Sequence, residues 1–301
     1  MRDARREAAV RLGGAVSVRV LEPSPPTVAA PPFFADDPLD GGEVLPIQRA
    51  GARTWLDVCR ERGDGDLYRW CEERWLVPGT LDFLPRRFAP TRDSLHVVAE
   101  HLLAPCRFRA NGKIGLRFTF RGFGTPFFGD GRQVRVEDGT LVDGDHRHQL
   151  STLRRAGEAL GIEPGAPQDA YTPSTPCDLD ASLAVDLESA RALGAWYGFC
   201  ARLLEQLRAD AGPEDAPGRV QLWPEHFDMA VDLGADGHRA NFGGSPGDDD
   251  HPEPYLYVGP WDARQGRFWN EPFGASLGYQ QILEGVDPTA FLRQGRDLVA
   301  G

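Results

Sequence analysis

The feature that most constrains the fold is a long stretch of helical periodicity between residues 186 and about 208. Asp186 can cap its first turn, and Gly212 and Pro213 lie just beyond its end. A helix of this length with one apolar stripe must lie against another layer of structure. The stripe consists of Leu187, Ala190, Leu193, Trp196, Tyr197, Cys200, Leu203, Leu204 and Leu207.

Two stretches with a period of two residues predict half-buried strands. Apolar and polar side chains alternate in residues 113–121 and again in residues 226–233. A second amphipathic helix is predicted over residues 91–104, with Thr91 as its cap and Pro105 just past its end. These patterns predict an α+β fold of mainly antiparallel strands backed by the two amphipathic helices.

The order of predicted elements repeats along the chain. A helix, an alternating strand, a turn with Phe before Gly and further strands occur in residues 87–162 and again in residues 181–285. In the first half, Asp138-Gly139 predicts a hairpin. A proline-rich connector separates the halves. We expect residues 47–301 to form a single α+β domain. A further hypothesis is that this domain consists of two structurally related halves.

The N-terminal residues differ from the rest in composition. Residues 21–46 hold seven prolines together with paired acidic residues and paired glycines. Such a segment can form neither a helix nor a central strand, because proline lacks a backbone donor. Residues 1–46 are therefore predicted to be an extended or partly disordered arm.

The charge and the cysteines exclude several classes of partner and compartment. A formal net charge of −12 disfavours nucleic acid and anionic membrane surfaces, since both attract basic proteins. No stretch approaches the ~20 apolar residues of a membrane span, and arginines interrupt the first apolar runs before a secretory signal could form. The five cysteines are scattered and form no C-x-x-C pair. The sequence therefore predicts a soluble, cytoplasmic protein and indicates no oligomeric state.

The segment LWPEHFD, residues 222–228, is the best candidate for a functional site. His226 and Asp228 are two positions apart on a predicted strand, which would place them on one face about 7 Å apart. A carboxylate beside an imidazole can fix its tautomer and raise its basicity, as a general base requires. The pair is a candidate for catalysis. The alternative is a His–Asp hydrogen bond that stabilises a polar pocket or a strand end.

Two further groups of side chains predict a cleft for a small molecule. Arg117 and Arg121 are expected on one face of the first strand, where they would hold a carboxylate or phosphate unless that face is solvated. Trp223, Tyr255 and Tyr257 would supply aromatic walls, although such residues equally suit packing. An anionic ligand is expected if the arginines face the cleft.

No motif identifies a cofactor. The sequence contains neither a Walker A motif nor a dinucleotide-binding motif, so it identifies no cofactor and the cofactor is unknown. Residues 243–247, GGSPG, satisfy the G-x-S-x-G pattern of serine hydrolases, but an acidic turn and a strand are expected after them instead of a helix. His226, Asp228 and His251 would bind a metal only if the acidic loop at 248–253 folded back onto the strand.

Several segments resemble a family of uncharacterised actinobacterial proteins. They are residues 222–228, 245–248 and 251–261 (HPEPYLYVGPW), together with the earlier residues 94–96 and 122–126, so the resemblance covers most of the chain from about residue 50. It implies a bacterial source with a GC-rich genome. The family has no assigned activity, cofactor or catalytic residue, so the resemblance implies no mechanism.

Three hypotheses of function follow from these patterns. The first is a small-molecule-binding protein with a polar and aromatic cleft near His226 and Asp228, acting as an enzyme on an anionic substrate if the pair is catalytic. The second is a non-catalytic scaffold or interaction protein. The third is a divalent-metal-dependent hydrolase.

Overall fold

A computed structural model describes residues 81–119, 121–126, 132–144 and 146–301. The predicted N-terminal arm lies outside these residues. Within them, six α-helices and two five-stranded antiparallel sheets form the α+β fold that the sequence predicted. None of the described helices is long and apolar enough to span a bilayer.

The first half consists of a long helical segment, a sheet and a short helix. Helix α1 (Phe88–Val98) continues through a π-helical turn (Ala99–Leu103) into α2 (Ala104–Asn111). After the sheet comes α3 (Leu153–Leu160). The strands are β1 (Arg117–Thr119), β2 (Gly122–Gly124), β3 (Val134–Glu137), β4 (Thr140–Asp143) and β5 (His146–Gln149).

The second half has the same order of parts. It begins with α4 (Leu187–Ala209) and a short 3₁₀ turn (Pro213–Asp215), and it ends with α5 (Tyr279–Leu283) and α6 (Pro288–Ala300). The connector between α3 and α4 is fully described and contains neither helix nor strand. The strands are β6 (Gln221–Trp223), β7 (Asp228–Leu233), β8 (Ala240–Ser245), β9 (Tyr255–Pro260) and β10 (Ala275–Gly278).

The two sheets share a topology and meet at their first strands. Each is a meander in which every strand pairs with its neighbours in sequence. Leu116, just before β1, and Leu222 in β6 form an antiparallel bridge, with N–O distances of 2.7 and 2.9 Å in the two directions. This is the arrangement expected of two related halves, although the duplication itself stays a prediction.

Helix α4 is the element on which both sheets pack. Its predicted cap is confirmed, because the Asp186 carboxylate accepts a hydrogen bond from the Ser189 backbone N at 3.0 Å. The helix contacts β1 and β2 of the first sheet and β7 and β8 of the second. Trp196 and Tyr197 on its apolar stripe are completely buried. One hydrophobic core therefore extends under both sheets.

At Gly194, helix α4 lies directly against the backbone of the first sheet. A Cβ here would lie 2.6 Å from the carbonyl carbon of Arg121 and 2.7 Å from the backbone N of Gly122. At Gly198, one turn further along, the nearest atoms belong to the Phe118 ring, at 3.0 Å. A ring can shift more easily than the peptide bond that leads into β2 can.

We expect Gly194→Ala to lower the free energy of unfolding by about 1–3 kcal/mol, even though alanine favours a helix by roughly 1 kcal/mol. Gly198→Ala is the matched control and should cost clearly less. Denaturant titration of the two variants measures the difference. Equal effects at both positions would contradict the backbone contact.

The first helix is longer than predicted at both ends. It begins at Phe88, so Thr91 lies inside it and its hydroxyl donates to the carbonyl O of Ala184 at 3.1 Å. It also continues through Pro105, where the sequence predicted its end. Proline is tolerated in the first turn of an α-helix, and the π-helical turn makes residue 105 part of the first turn of α2.

The predicted strand over residues 113–121 is shorter than expected, and its buried face is the opposite one. Strand β1 covers only Arg117–Thr119, and in it Arg117 and Thr119 are buried while Phe118 is half-buried. Arg121 lies in the following turn with a φ of 64°. The hairpin predicted at Asp138-Gly139 is confirmed, because both residues have positive φ and connect β3 to β4.

Candidate functional site

The second sheet packs one face on the core and leaves the other facing a cavity. On β7, Met229, Val231 and Leu233 belong to the hydrophobic core, while Asp228 and Asp232 lie on the opposite face. The cavity on that face has a volume of about 320 Å³. Among the residues that line it are Trp223, Glu225, His226, Asp228, Tyr257 and Trp261.

His226 lies in a turn, not on the strand where the sequence placed it. The backbone N of Phe227 donates to Trp223 O at 2.7 Å, and Phe227 has a φ of 54°. Strand β7 therefore begins at Asp228, and the alternation that would have put His226 on the same strand face is interrupted. The turn nevertheless brings His226 and Asp228 to the same cavity, with the imidazole exposed and the carboxylate buried.

Asp228 is the buried acid of this cavity. It is 6% exposed, and its Oδ2 accepts a hydrogen bond from the Tyr257 hydroxyl. Its Oδ1 is buried and has no hydrogen-bond partner among the described residues. Burial raises the pKa of Asp228, while the hydrogen bond from Tyr257 and the proximity of His226 lower it in part. A buried carboxylate oxygen without a donor is costly, so Oδ1 is where a donor from a ligand would be most favourable.

Gly243 on β8 allows Tyr257 to reach Asp228. The two residues are directly paired between β8 and β9, and a Cβ on Gly243 would lie within 2.6 Å of three atoms of the phenol. The ring therefore occupies the space above the glycine. The GGSPG segment thus forms the end of a strand, and the chain continues through a loop into β9. The strand–turn–helix context of a serine-hydrolase elbow is not formed there.

The charged lining of the cavity is mainly acidic. Both Glu225 and Asp228 line it. Burial raises the pKa of Glu225, and its Oε2 is buried without a hydrogen-bond partner in the described part of the chain. Asp232 is compensated by Arg239, whose Nε lies 2.9 Å from Oδ2. Arg219 is the basic residue of the lining.

Aromatic rings form the other part of the wall. Trp223 is half-buried, and Trp261 is 62% exposed, with its indole N–H donating to Asn241 Oδ1 at 3.2 Å. Tyr255, which was expected to bind the ligand, lies beside the cavity. Its ring is 6.4 Å from that of Tyr257, and its hydroxyl donates to Asp248 Oδ2 at 3.0 Å.

Arg117 and Arg121 do not line this cavity, so they do not form the predicted grip on an anion. Arg117 is 3% exposed, and burial lowers its pKa to about 9 although Glu205 on α4 raises it. Arg121 forms an ion pair with Asp138 in the turn beside β2, with Nε 2.8 Å from Oδ1. The two arginines from which the sequence predicted an anionic ligand are therefore not among the residues that line the cavity with His226.

The three proposed metal ligands are not grouped either. In the described ranges, no three His, Cys, Asp or Glu side chains come together as ligands of an ion. His251 lies against Tyr255, with ring centroids 4.7 Å apart, and its Nε2 is 3.3 Å from Glu271 Oε1. It is not part of the cavity lining.

Sequence reasoning missed a buried polar network that supports the cavity turn. His96 Nε2 on α1 lies 2.9 Å from Pro224 O, and its ring stacks on Phe227 at 5.0 Å. Burial lowers the pKa of His96, which favours a neutral imidazole that donates to this carbonyl. Glu100, completely buried in the π-helical turn, accepts hydrogen bonds from the backbone N of Ser174 at 3.0 Å and of Thr175 at 2.7 Å. A helical periodicity gives no signal for a π turn, so this network could not be predicted.

Comparisons with family models, curated proteins and solved structures found no match to this chain. The predicted resemblance to actinobacterial proteins therefore stays a prediction. The fold and the site define the protein as an α+β protein with an acidic, aromatic cavity on the open face of one sheet, and its function has to be argued from that cavity.

Proposed function

We propose that this protein binds a small organic molecule in the cavity of the second sheet, with Asp228 as the main anchor. The observation that carries the proposal is the buried Oδ1 of Asp228, which has no donor in the described chain. A cavity of about 320 Å³ is within the range that holds small organic ligands. An N–H or O–H of the ligand would supply the missing hydrogen bond, and Trp223 and Tyr257 would cover its apolar part.

Asp228→Asn tests this anchor. A screen by thermal shift, followed by calorimetry, should find ligands of the wild type that bind about 10- to 100-fold more weakly to the variant, since a hydrogen bond to a charged group contributes about 1.5–3 kcal/mol. Asp232→Asn is the matched control, because Asp232 lines the same cavity but is already paired with Arg239.

The control should change affinity by less than about threefold, as expected for a partly exposed ion pair. Ligands that bind both variants as tightly as the wild type would show that Asp228 is not the anchor. A wild type that binds nothing across a broad library would instead favour the scaffold hypothesis.

Acid–base catalysis on the bound molecule is a second candidate, and it rests on the pairing of a buried acid with an exposed imidazole. The raised pKa of Asp228 keeps its proton to higher pH than in a solvated carboxyl group, so this residue would act as the proton donor. His226, which is exposed in the same cavity, would accept a proton. Turnover that is lost in His226→Gln while ligand affinity persists would support this role, and turnover unchanged in that variant would contradict it.

A further inference from the structure

We infer that the ligand is an organic cation, whose ammonium group binds at Asp228 beside the rings of Trp223 and Tyr257. This inference rests on the proposed function and specifies the class of ligand. It replaces the anionic ligand that the sequence predicted from Arg117 and Arg121.

The balance of charge in the cavity carries the first part of the argument. Of the three carboxylates in the lining, Asp232 is neutralised by Arg239, while Asp228 and Glu225 each keep a buried oxygen with no hydrogen-bond partner in the described residues. Arg219 is a basic residue of the same lining. These two carboxylates would repel an anionic ligand, because the site is partly desolvated. A cation would stabilise both of them in their charged forms.

The position of the aromatic rings carries the second part. Trp223 is the direct cross-strand partner of Asp228 between β6 and β7, so both side chains leave the same face of the sheet. Tyr257 approaches from the other side through its hydrogen bond to Oδ2. A cation at Oδ1 would thus have an aromatic residue on each side, the environment that favours ammonium groups.

The protein already uses one ring of this wall for a cation. The guanidinium of Arg239 lies over the ring of Trp261, 5.5 Å from its centroid. The same arginine neutralises Asp232, so this carboxylate and this indole are both satisfied within the chain. Asp228 and Trp223 form the equivalent combination of acid and indole at the other end of β7.

Pairs of probes that differ only in charge test the inference. Choline and its uncharged isostere 3,3-dimethylbutan-1-ol form one pair, and butylammonium and butan-1-ol, which keeps a hydrogen-bond donor, form a pair for primary amines. We expect the full chain to bind a cation of the panel at least tenfold more tightly than its neutral partner, as measured by calorimetry or by ligand-observed NMR. Asp228→Asn should abolish this preference. Trp223→Leu should weaken binding of the cation at least threefold, and Trp223→Phe should restore most of it.

The outcomes separate the inference from the proposed function. Equal binding of charged and neutral partners, lost in Asp228→Asn, would overturn the inference and leave the proposed cavity intact. The same conclusion would follow if no cation of the panel bound, while polyols or amides from the broader library bound in a way that depends on Asp228. Failure of every compound in both screens would overturn both proposals.

Discussion

Arg117→Ala is expected to lower the free energy of unfolding by about 3–5 kcal/mol, which makes it the most damaging of the substitutions considered. The guanidinium is 3% exposed and lies in the field of Glu205, which is itself 6% exposed. Without the arginine, Glu205 keeps Arg208, at 3.3 Å from Oε2, as its ion-pair partner. The substitution would therefore leave a cavity and a buried carboxylate that has lost one of the two positive charges in its surroundings. Denaturation by urea measures the loss.

Arg121→Ala is the natural control, because the sequence predicted the same role for both arginines. The side chain of Arg121 is 39% exposed and pairs with Asp138. We expect its removal to cost less than about 1 kcal/mol, as is usual for ion pairs near the surface. Similar losses of unfolding free energy in the two variants would contradict the conclusion that Arg117 is buried while Arg121 lies near the surface.

Asp228→Asn is expected to raise stability near neutral pH by about 1–3 kcal/mol, because an uncharged amide avoids the cost of burying a carboxylate charge. Burial raises the pKa of Asp228 above that of an aspartate in the unfolded chain. The contribution of this residue to stability is then fully present below the unfolded pKa and is lost as the pH rises through the folded pKa. Asparagine does not titrate, so the variant avoids this loss.

The measurement is the difference in unfolding free energy between wild type and Asp228→Asn across a pH series from about 3 to 8. The difference should be small in acid and grow in favour of the variant as the pH rises. Tyr257→Phe removes a hydrogen bond that lowers the pKa of Asp228, so it should shift this rise to higher pH. The hydroxyl of Tyr255 donates to Asp248 instead, so Tyr255→Phe should leave the pH range of the rise unchanged. A difference that does not vary with pH would contradict the raised pKa.

The elements that the sequence predicted correctly are those with strong local signals. Helix α4 has a capping aspartate at one end and a continuous apolar stripe, and the β3–β4 hairpin has an Asp-Gly turn that requires positive φ. The end of the first helix was predicted wrongly because a π turn changes the hydrogen-bond register without any change of composition. The buried face of β1 was wrong because the polar residue on it, Arg117, lies near an acid on a helix distant in sequence.

The sequence predicted part of the candidate site, but the residues come together through a geometry that it did not predict. Trp223, His226, Asp228 and Tyr257 line one cavity, as expected of a common cleft. They come together because the backbone of Phe227 is in the left-handed region and because Gly243 has no side chain. No local sequence pattern predicts either feature. Tyr255, Arg117 and Arg121 were placed by strand alternation alone, and none of them lines the cavity.

The turn that forms one wall of the cavity is anchored outside the sheet to which the cavity belongs. His96 of the first half bonds Pro224 O, and Ser174 of the connector donates its hydroxyl to Glu225 O at 2.8 Å. Tyr197 of α4 donates to Phe227 O at 2.6 Å. The second half alone, from α4 onward, would thus retain Asp228, Tyr257 and the contact from Tyr197 but lose the other two of these three hydrogen bonds. The shape of this cavity wall therefore depends on residues from both halves of the chain.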